Sequence, residues 1–425
     1  MSVDITDTTL SWRGLMSTVP LRRNRDFVLL ESGRLLSSMG TQLTTIAYPL
    51  LVLALTHSPA KAGIVSFARL IPHALFALLA GVAADRWSRK RLMIAADIVR
   101  ALAIASLVAT ILLDRPAFWQ IALVAFVEGT GAVFFAGAQA GALRAVVSPR
   151  QLPAAVGAQG ARASIVRLVG PPVGGALFGL GRAVPFLVDT ASYAFSILSL
   201  LAMRTPFQET RDADRSPLRA QIAEGFRFLW SQPFLRTAAF IYGLGNFALP
   251  GVLLVIVVAG KRHGLSGGEI GALLAAFGAC ALLGSLVSPL FRRALSMRAI
   301  LLLELWAWLG TVAFLVWPNV YVLTASILPL AVTLPVTDSV VVGYRVAITP
   351  DRILGRVESV RSNIALLLGS LGPLTAGFLL ASVSARATVA VFTACGLLLA
   401  VWGTLSPSIR KAPSLAELDD LQSAG

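Results

Sequence analysis

Gly81-Val82-Ala83-Ala84-Asp85-Arg86-Trp87-Ser88-Arg89-Lys90-Arg91 is a short charged turn between two apolar runs, 62–84 and 92–113. Each run is long enough to cross a hydrocarbon layer, which takes about 20 residues of helix. A turn this tight leaves the chain no room for a domain outside the membrane, so the two runs must be consecutive antiparallel spans. Working outward from it, the same pattern of apolar run and short polar gap repeats along the chain. Spans are predicted at 27–56, 62–84, 92–113, 117–139, 154–180 and 183–203, then at 236–259, 268–291, 299–317, 320–346, 362–383 and 386–405. Composition agrees: 56% of the 425 residues are hydrophobic and 13% charged, against about 45–50% and about 25% in soluble domains. With a mean hydropathy of +0.78, a soluble enzyme, a disordered chain and a disulfide-stapled domain are excluded.

The net charge of +15 does not point to nucleic acid, because the basic residues lie scattered in the gaps between apolar runs rather than in one basic patch. Twenty-five Lys and Arg fall on the side of the first residues, six on the other side and five (Arg34, Arg69, Arg100, Arg162, Arg167) inside spans. That asymmetry predicts both termini in the cytoplasm. Cys280 and Cys395 lie inside apolar runs, with neither a disulfide framework nor metal spacing. No cleavable leader is expected, since the first apolar run follows Leu21-Arg22-Arg23-Asn24-Arg25.

An internal repeat divides the chain. Arg144-Ala145-Val146-Val147-Ser148-Pro149 recurs as Arg345-Val346-Ala347-Ile348-Thr349-Pro350, and each copy leads into a span with a Gly-Pro step, Gly170-Pro171 and Gly372-Pro373. The expected organisation is a cytoplasmic segment 1–25, a six-helix bundle 26–203, a central loop 204–235 with an amphipathic helix at 218–229, a second six-helix bundle 236–405 and a tail 406–425. Duplicated bundles of this kind suit transport through a site between the halves.

The turn at Gly81 to Lys90 resembles the loop signature of the major facilitator superfamily at Gly81, Ala84, Asp85, Arg86, Arg89 and Lys90, with Ser88 standing where the family has a second glycine. The resemblance extends over residues 22–410. It implies an all-α fold of twelve transmembrane helices in two pseudo-symmetric bundles, with this turn as a gate. Gly81 is expected to allow close helix approach, Asp85 to accept hydrogen bonds from a helix N-terminus, and Arg86, Arg89 and Lys90 to clamp partners across the cytoplasmic gap. Gly170-Pro171-Pro172-Val173-Gly174-Gly175 is similar to the antiporter motif of exporters in the same superfamily and reads as a hinge or packing face. Glu128-Gly129-Thr130-Gly131-Ala132 resembles the fourth-helix motif, but Ala125 replaces its arginine. The stretches Asn24–Phe27, Gly33–Gly40 and Val147–Leu152 look like the bacterial branch of macrolide-efflux and siderophore-export carriers. In that branch an aspartate often follows the glycine at Gly40; Thr41 stands there instead.

Ionisable groups inside a membrane need a partner or a task. Glu128 and Arg167, midway along spans four and five, are expected to approach each other, Glu128 exchanging a proton or standing in a permanent pair. Glu31 with Arg34 and Asp97 with Arg100, each at i, i+3, read as helix-end or gate pairs and as candidates for the proton and substrate path. Asp189, Glu304 and Asp338 have no evident partner, and His73 follows the kink at Pro72. No nucleotide loop, metal site or catalytic arrangement is present, so neither an enzyme nor a cofactor is expected. The reading is export of a small hydrophobic or amphipathic compound, a drug, antibiotic or siderophore-like metabolite, by proton antiport. The partners are the substrate, protons and the lipid bilayer, and a monomer is the expectation. The alternatives are an importer of a small nutrient with the same fold and a non-transporting receptor or scaffold.

Overall fold

The computed structural model describes residues 20–205 and 218–410. The rest of the N-terminal segment, of the central loop (Arg211, Asp212 and Asp214 among it) and of the tail lies outside the described residues. In the first half α1 is Arg25–Thr56, α2 Pro59–Arg86, α3 Arg89–Leu112, α4 Phe118–Val146, α5 Leu152–Leu180 and α6 Val184–Ala202. A shorter helix, α7 (Leu218–Ser231), precedes the second half: α8 Pro233–Arg262, α9 Gly267–Ala294, α10 Met297–Ala307, α11 Val312–Val316, α12 Val320–Ile348, α13 Asp351–Ser382 and α14 Ala385–Leu405. A 3₁₀ stretch, Trp308–Thr311, joins α10 to α11 within one crossing, and a last turn, α15, covers Pro407–Arg410. Twelve crossings are long and apolar enough to span a membrane.

Serines and asparagines set the helix starts. The side chains of Asn24, Ser58, Ser88, Ser296, Asn319 and Ser384 accept from the first-turn amides of their helices, and Ser266 with Glu269 forms a reciprocal capping box. Pro49, Pro72, Pro250, Pro335 and Pro373 sit inside helices. Such breaks are tolerated in a membrane where neighbouring helices cover the freed carbonyls.

The halves meet along two seams, α2 against α13 and α5 against α9. Both seams lie near the face opposite the one from which α1 starts. There the buried apolar core is continuous across the halves, from Ile46–Leu53 and Val65 to Val252–Ala259, Ile270 and Leu380. Toward the other face, here called the terminal face, it splits into one cluster around Met93 and Phe135 and another around Met297 and Val357. The helices therefore form a wedge that is sealed at the far face and open at the terminal face.

α7 is amphipathic, as its spacing predicts, and lies against α13. Glu224 pairs with Arg356, while a side chain at Gly225 would meet the Arg356 carbonyl. Phe226 and Trp230 stack on its exposed side with ring centroids 5.1 Å apart.

Candidate functional site: a central cavity and its polar flank

A cavity of about 840 Å³ lies where the halves diverge. Its walls are mostly apolar, including Leu249, Leu253, Leu274 and Phe277, with Gln42, Thr45, Arg69, Arg167, Asn246, Glu304 and Asp338 set among them. Pro49, Pro171, Pro250 and Pro373, all inside helices, are among its lining residues.

Behind one wall, the first half holds a connected polar network. Arg69 of α2 pairs with Glu128 of α4 at 3.1 Å and donates to the Thr41 carbonyl and the Thr45 hydroxyl, each at 2.7 Å. The expected approach of Glu128 to Arg167 is therefore corrected. The reason is the packing of α4: a Cβ at Gly129 would collide with the Arg69 carbonyl, so the glycine lets α4 lie on the α2 backbone and brings Glu128 to Arg69. Arg167 sits on α5, which packs against α1 and α9; its Nε donates to the Ala163 carbonyl at 3.4 Å and its side chain faces the cavity.

Asp97 and Arg100 stand 3.1 Å apart and are both buried. Arg100 also donates to Thr41 Oγ1 at 2.8 Å and lies over the Tyr193 ring at 4.1 Å. Glu31 is not paired with Arg34. It takes Arg162 and Gln159 of α5 instead, because α5 packs along α1 and reaches it across the helix gap. Arg34 is half-buried near this group. In the second half, Glu358 bridges Arg345 and Arg361, each at 2.7 Å, and Arg361 lies over the Tyr242 ring.

The turn between α2 and α3 differs from expectation at Gly81. A Cβ there would meet nothing within 4 Å: α2 packs mainly on α4 and α13 and only slightly on α3. Asp85 is exposed (64%) and 3.9 Å from Arg89, whereas the N-terminus of α3 is capped by Ser88. Ser88 has φ −58°, so the position makes no demand for glycine. Lys90 donates to the Met203 carbonyl at 2.7 Å, tying α3 to the end of α6. The stretch Gly170 to Gly175 is wedged between α1 and α9: Gly174 lies on the Leu43 backbone, Gly175 on Gly267, and Gly271 on Pro171. It thus forms part of the far-face seam. Arg69 was legible only as a charge in a span; the pairing of a buried acid with a glycine at 128–129 is the signal that calls for a partner on a closely packed neighbouring helix.

The family profile of transmembrane secretion effectors matches residues 16–420. The chain is 28% identical over 407 residues to the "Multidrug efflux pump Tap" of Mycolicibacterium fortuitum, covering 90% of this chain and 96% of that protein. It is 27% identical over 383 residues to the "Enterobactin exporter EntS" of Escherichia coli O1:K1 / APEC, covering 85% and 88%. Among solved structures, a bacterial homolog of the human lysosomal transporter Spinster, inward-facing and occupied, superposes with a TM-score of 0.73 at 15% identity, covering 91% of this chain and 97% of that one. A bacterial homologue of the iron transporter ferroportin, inward-facing, gives 0.70 at 16%, covering 91% and 99%. The chain is a multi-pass membrane transporter, not an enzyme, and it belongs to the transmembrane secretion effector family of the major facilitator superfamily.

Proposed function

We propose that this transporter exports a small hydrophobic or amphipathic compound, such as a drug, antibiotic or siderophore-like metabolite, across the cytoplasmic membrane by proton antiport. The observation that carries the reading is the mostly apolar cavity between the halves, open to the terminal face and large enough for a drug-sized molecule. The excess of Lys and Arg in the gaps on that face makes it the cytoplasmic one, so the cavity loads from the cytosol or the inner leaflet. The relatives with export in their names support the direction.

In the cycle the compound enters the wedge, the terminal face closes and the far-face seams part. Asp85, Arg86, Arg89 and Lys90 gate the terminal face, while the run from Gly170 to Gly175 is the surface on which the halves move. A proton entering the buried carboxylates of the first half returns the carrier to the open wedge. Arg69 of the pair with Glu128 reaches the cavity wall, and Asp97, Arg100, Glu31 and Arg34 are the further candidates for the proton and substrate path. The test is a growth-inhibition panel of antibiotics, dyes and iron chelators, in a host lacking its main efflux pumps. Wild type runs beside Asp85→Asn and Glu128→Gln at matched membrane expression. Resistance lost in either variant supports export, whereas accumulation of a labelled compound on expression of the wild type would refute it.

A further inference from the structure

Four carboxylates are buried among the described residues of the first half, and they are not held alike. Glu128 has Arg69 and Asp97 has Arg100, both as ion pairs. Asp189, wholly buried on α6, has only hydroxyl groups: Thr44 at 3.2 Å, Ser192 at 3.3 Å and Tyr193 at 3.4 Å. Among the described residues no ion pair reaches it. The other acids of the spans differ: Glu31 and Glu358 are paired, Glu304 and Asp338 open on the cavity, and Asp26 takes the amides of Arg204 and Thr205. A carboxylate charge in an apolar interior needs a cation, and three long bonds from neutral donors do not replace one.

The surroundings were built around this carboxyl group. A Cβ at Gly40 would collide with Asp189 Oδ1, so the bare backbone of α1 is what leaves it room. At this level α1 contributes Thr41 and Thr44 and no charge. The charged and titratable groups facing Asp189 are Arg100 from α3, Glu128 from α4, Arg69 from α2, Tyr48 from α1 and Tyr193 on its own helix. One residue connects them: Thr41 Oγ1 bonds both Arg100 (2.8 Å) and the Tyr193 hydroxyl (2.9 Å), and its carbonyl accepts from Arg69 (2.7 Å).

We propose that Asp189 is the proton-carrying group of the transport cycle and that Thr41 relays its charge state to the cavity wall. This rests on the antiport reading above. In the wedge-shaped state the carboxyl group holds its proton. On release the O–H bond breaks, the proton leaves on water, and the charge left on the carboxylate is met by the Arg100 guanidinium. Arg100 then lets go of Thr41 Oγ1, and the Arg69 grip on the Thr41 carbonyl loosens with it. The proton site thereby lies behind the cavity, out of contact with the transported compound.

The test is infrared pH-difference spectroscopy of the purified full-length protein in detergent, which needs no substrate. Wild type and Glu128→Gln are expected to show the C=O band of a protonated carboxyl in apolar surroundings, vanishing on alkaline titration. Asp189→Asn is expected to lose that band. Asp189→Glu is expected to shift it, which carries the test if the asparagine variant fails to fold. An unchanged band in Asp189→Asn, or none in the wild type, overturns the assignment. Ethidium efflux from loaded cells separates the two readings. A wild type that exports ethidium while Asp189→Asn keeps the band upholds export and rejects Asp189. A band lost in Asp189→Asn, with ethidium accumulating in wild-type cells, upholds the proton site and rejects the direction.

Discussion

The three atoms nearest a Cβ built at Gly63 of α2 all belong to the other half: it would stand 2.6 Å from the Pro373 carbonyl oxygen and 3.0 Å from Gly377 Cα. Both are backbone atoms of α13 and cannot rotate away. For Gly63→Ala to reach an ordinary contact of about 3.4 Å, the two helices must part by roughly 0.8 Å along a seam that closes only in the wedge. Overpacking of this kind costs about 1–3 kcal/mol. Because the nearest atoms all lie across the seam, the cost falls on the sealed state rather than on folding of the bundle. A bias of that size shifts a two-state equilibrium about 5–150-fold. Spin labels at Trp87→Cys and Leu295→Cys, the exposed ends of α2 and α9, would read it after Cys280 and Cys395 are replaced by alanine. The expected result is transfer of population from the long terminal-face distance to a shorter one. A distance distribution unchanged by Gly63→Ala, in a protein of unchanged melting temperature, would refute the seal argument.

Other expectations follow from the same geometry. Arg69→Ala leaves Glu128, 1% exposed, without its cation and should lower stability by about 3–5 kcal/mol, seen as a fall in melting temperature. Glu128→Gln instead leaves the cation of Arg69, which is 14% exposed on the cavity wall and keeps its bonds to Thr41 and Thr45, and should cost clearly less; equal small losses would contradict the pairing. Asp85→Asn should change stability by only about 0–1 kcal/mol, because its pair with Arg89 is long and exposed, yet export should fall; normal export at equal expression would end the gating role. Gly225→Val would press on the Arg356 carbonyl, 2.6 Å from the new Cβ, and lift α7 from α13. Trypsin should then cut several-fold faster at Arg227, and an unaltered digestion rate would show that α7 does not depend on that contact.

The crossings were legible because hydropathy senses the membrane directly, and each predicted span has its helix. Helix ends were less so. α13 begins at Asp351 while its apolar run begins near 362, since the first turns carry Arg356, Glu358 and Arg361 toward other protein groups. Charge pairing across helices was the least legible, because it depends on how each helix is rotated about its axis. Asp97 and Arg100 pair at i, i+3 as expected, while Glu31 and Arg34 at the same spacing do not, because α5 offers Glu31 other partners. Glu128 was matched to Arg167 because both lie midway along their spans, whereas the contact at Gly129 fixes which face of α4 meets α2 and gives it Arg69. The hydroxyl cage of Asp189 was written as Gly40-Thr41, Thr44 and Ser192-Tyr193, but only the packing of α1 on α6 assembles it.

The far-face seams are made of backbone against backbone, and among the described residues no ion pair joins the halves there. Opening that end therefore separates no opposite charges. Dissolved salt, which acts through the screening of charges, has nothing in the seams to weaken. Membrane voltage, which does work only on charge that moves, finds no handle there either. What resists opening is dispersion contact between close-packed surfaces, which hydrostatic pressure and the lateral squeeze of the lipids around the helices can reach. The far-face seal is in this sense a mechanical latch, indifferent to the ionic medium.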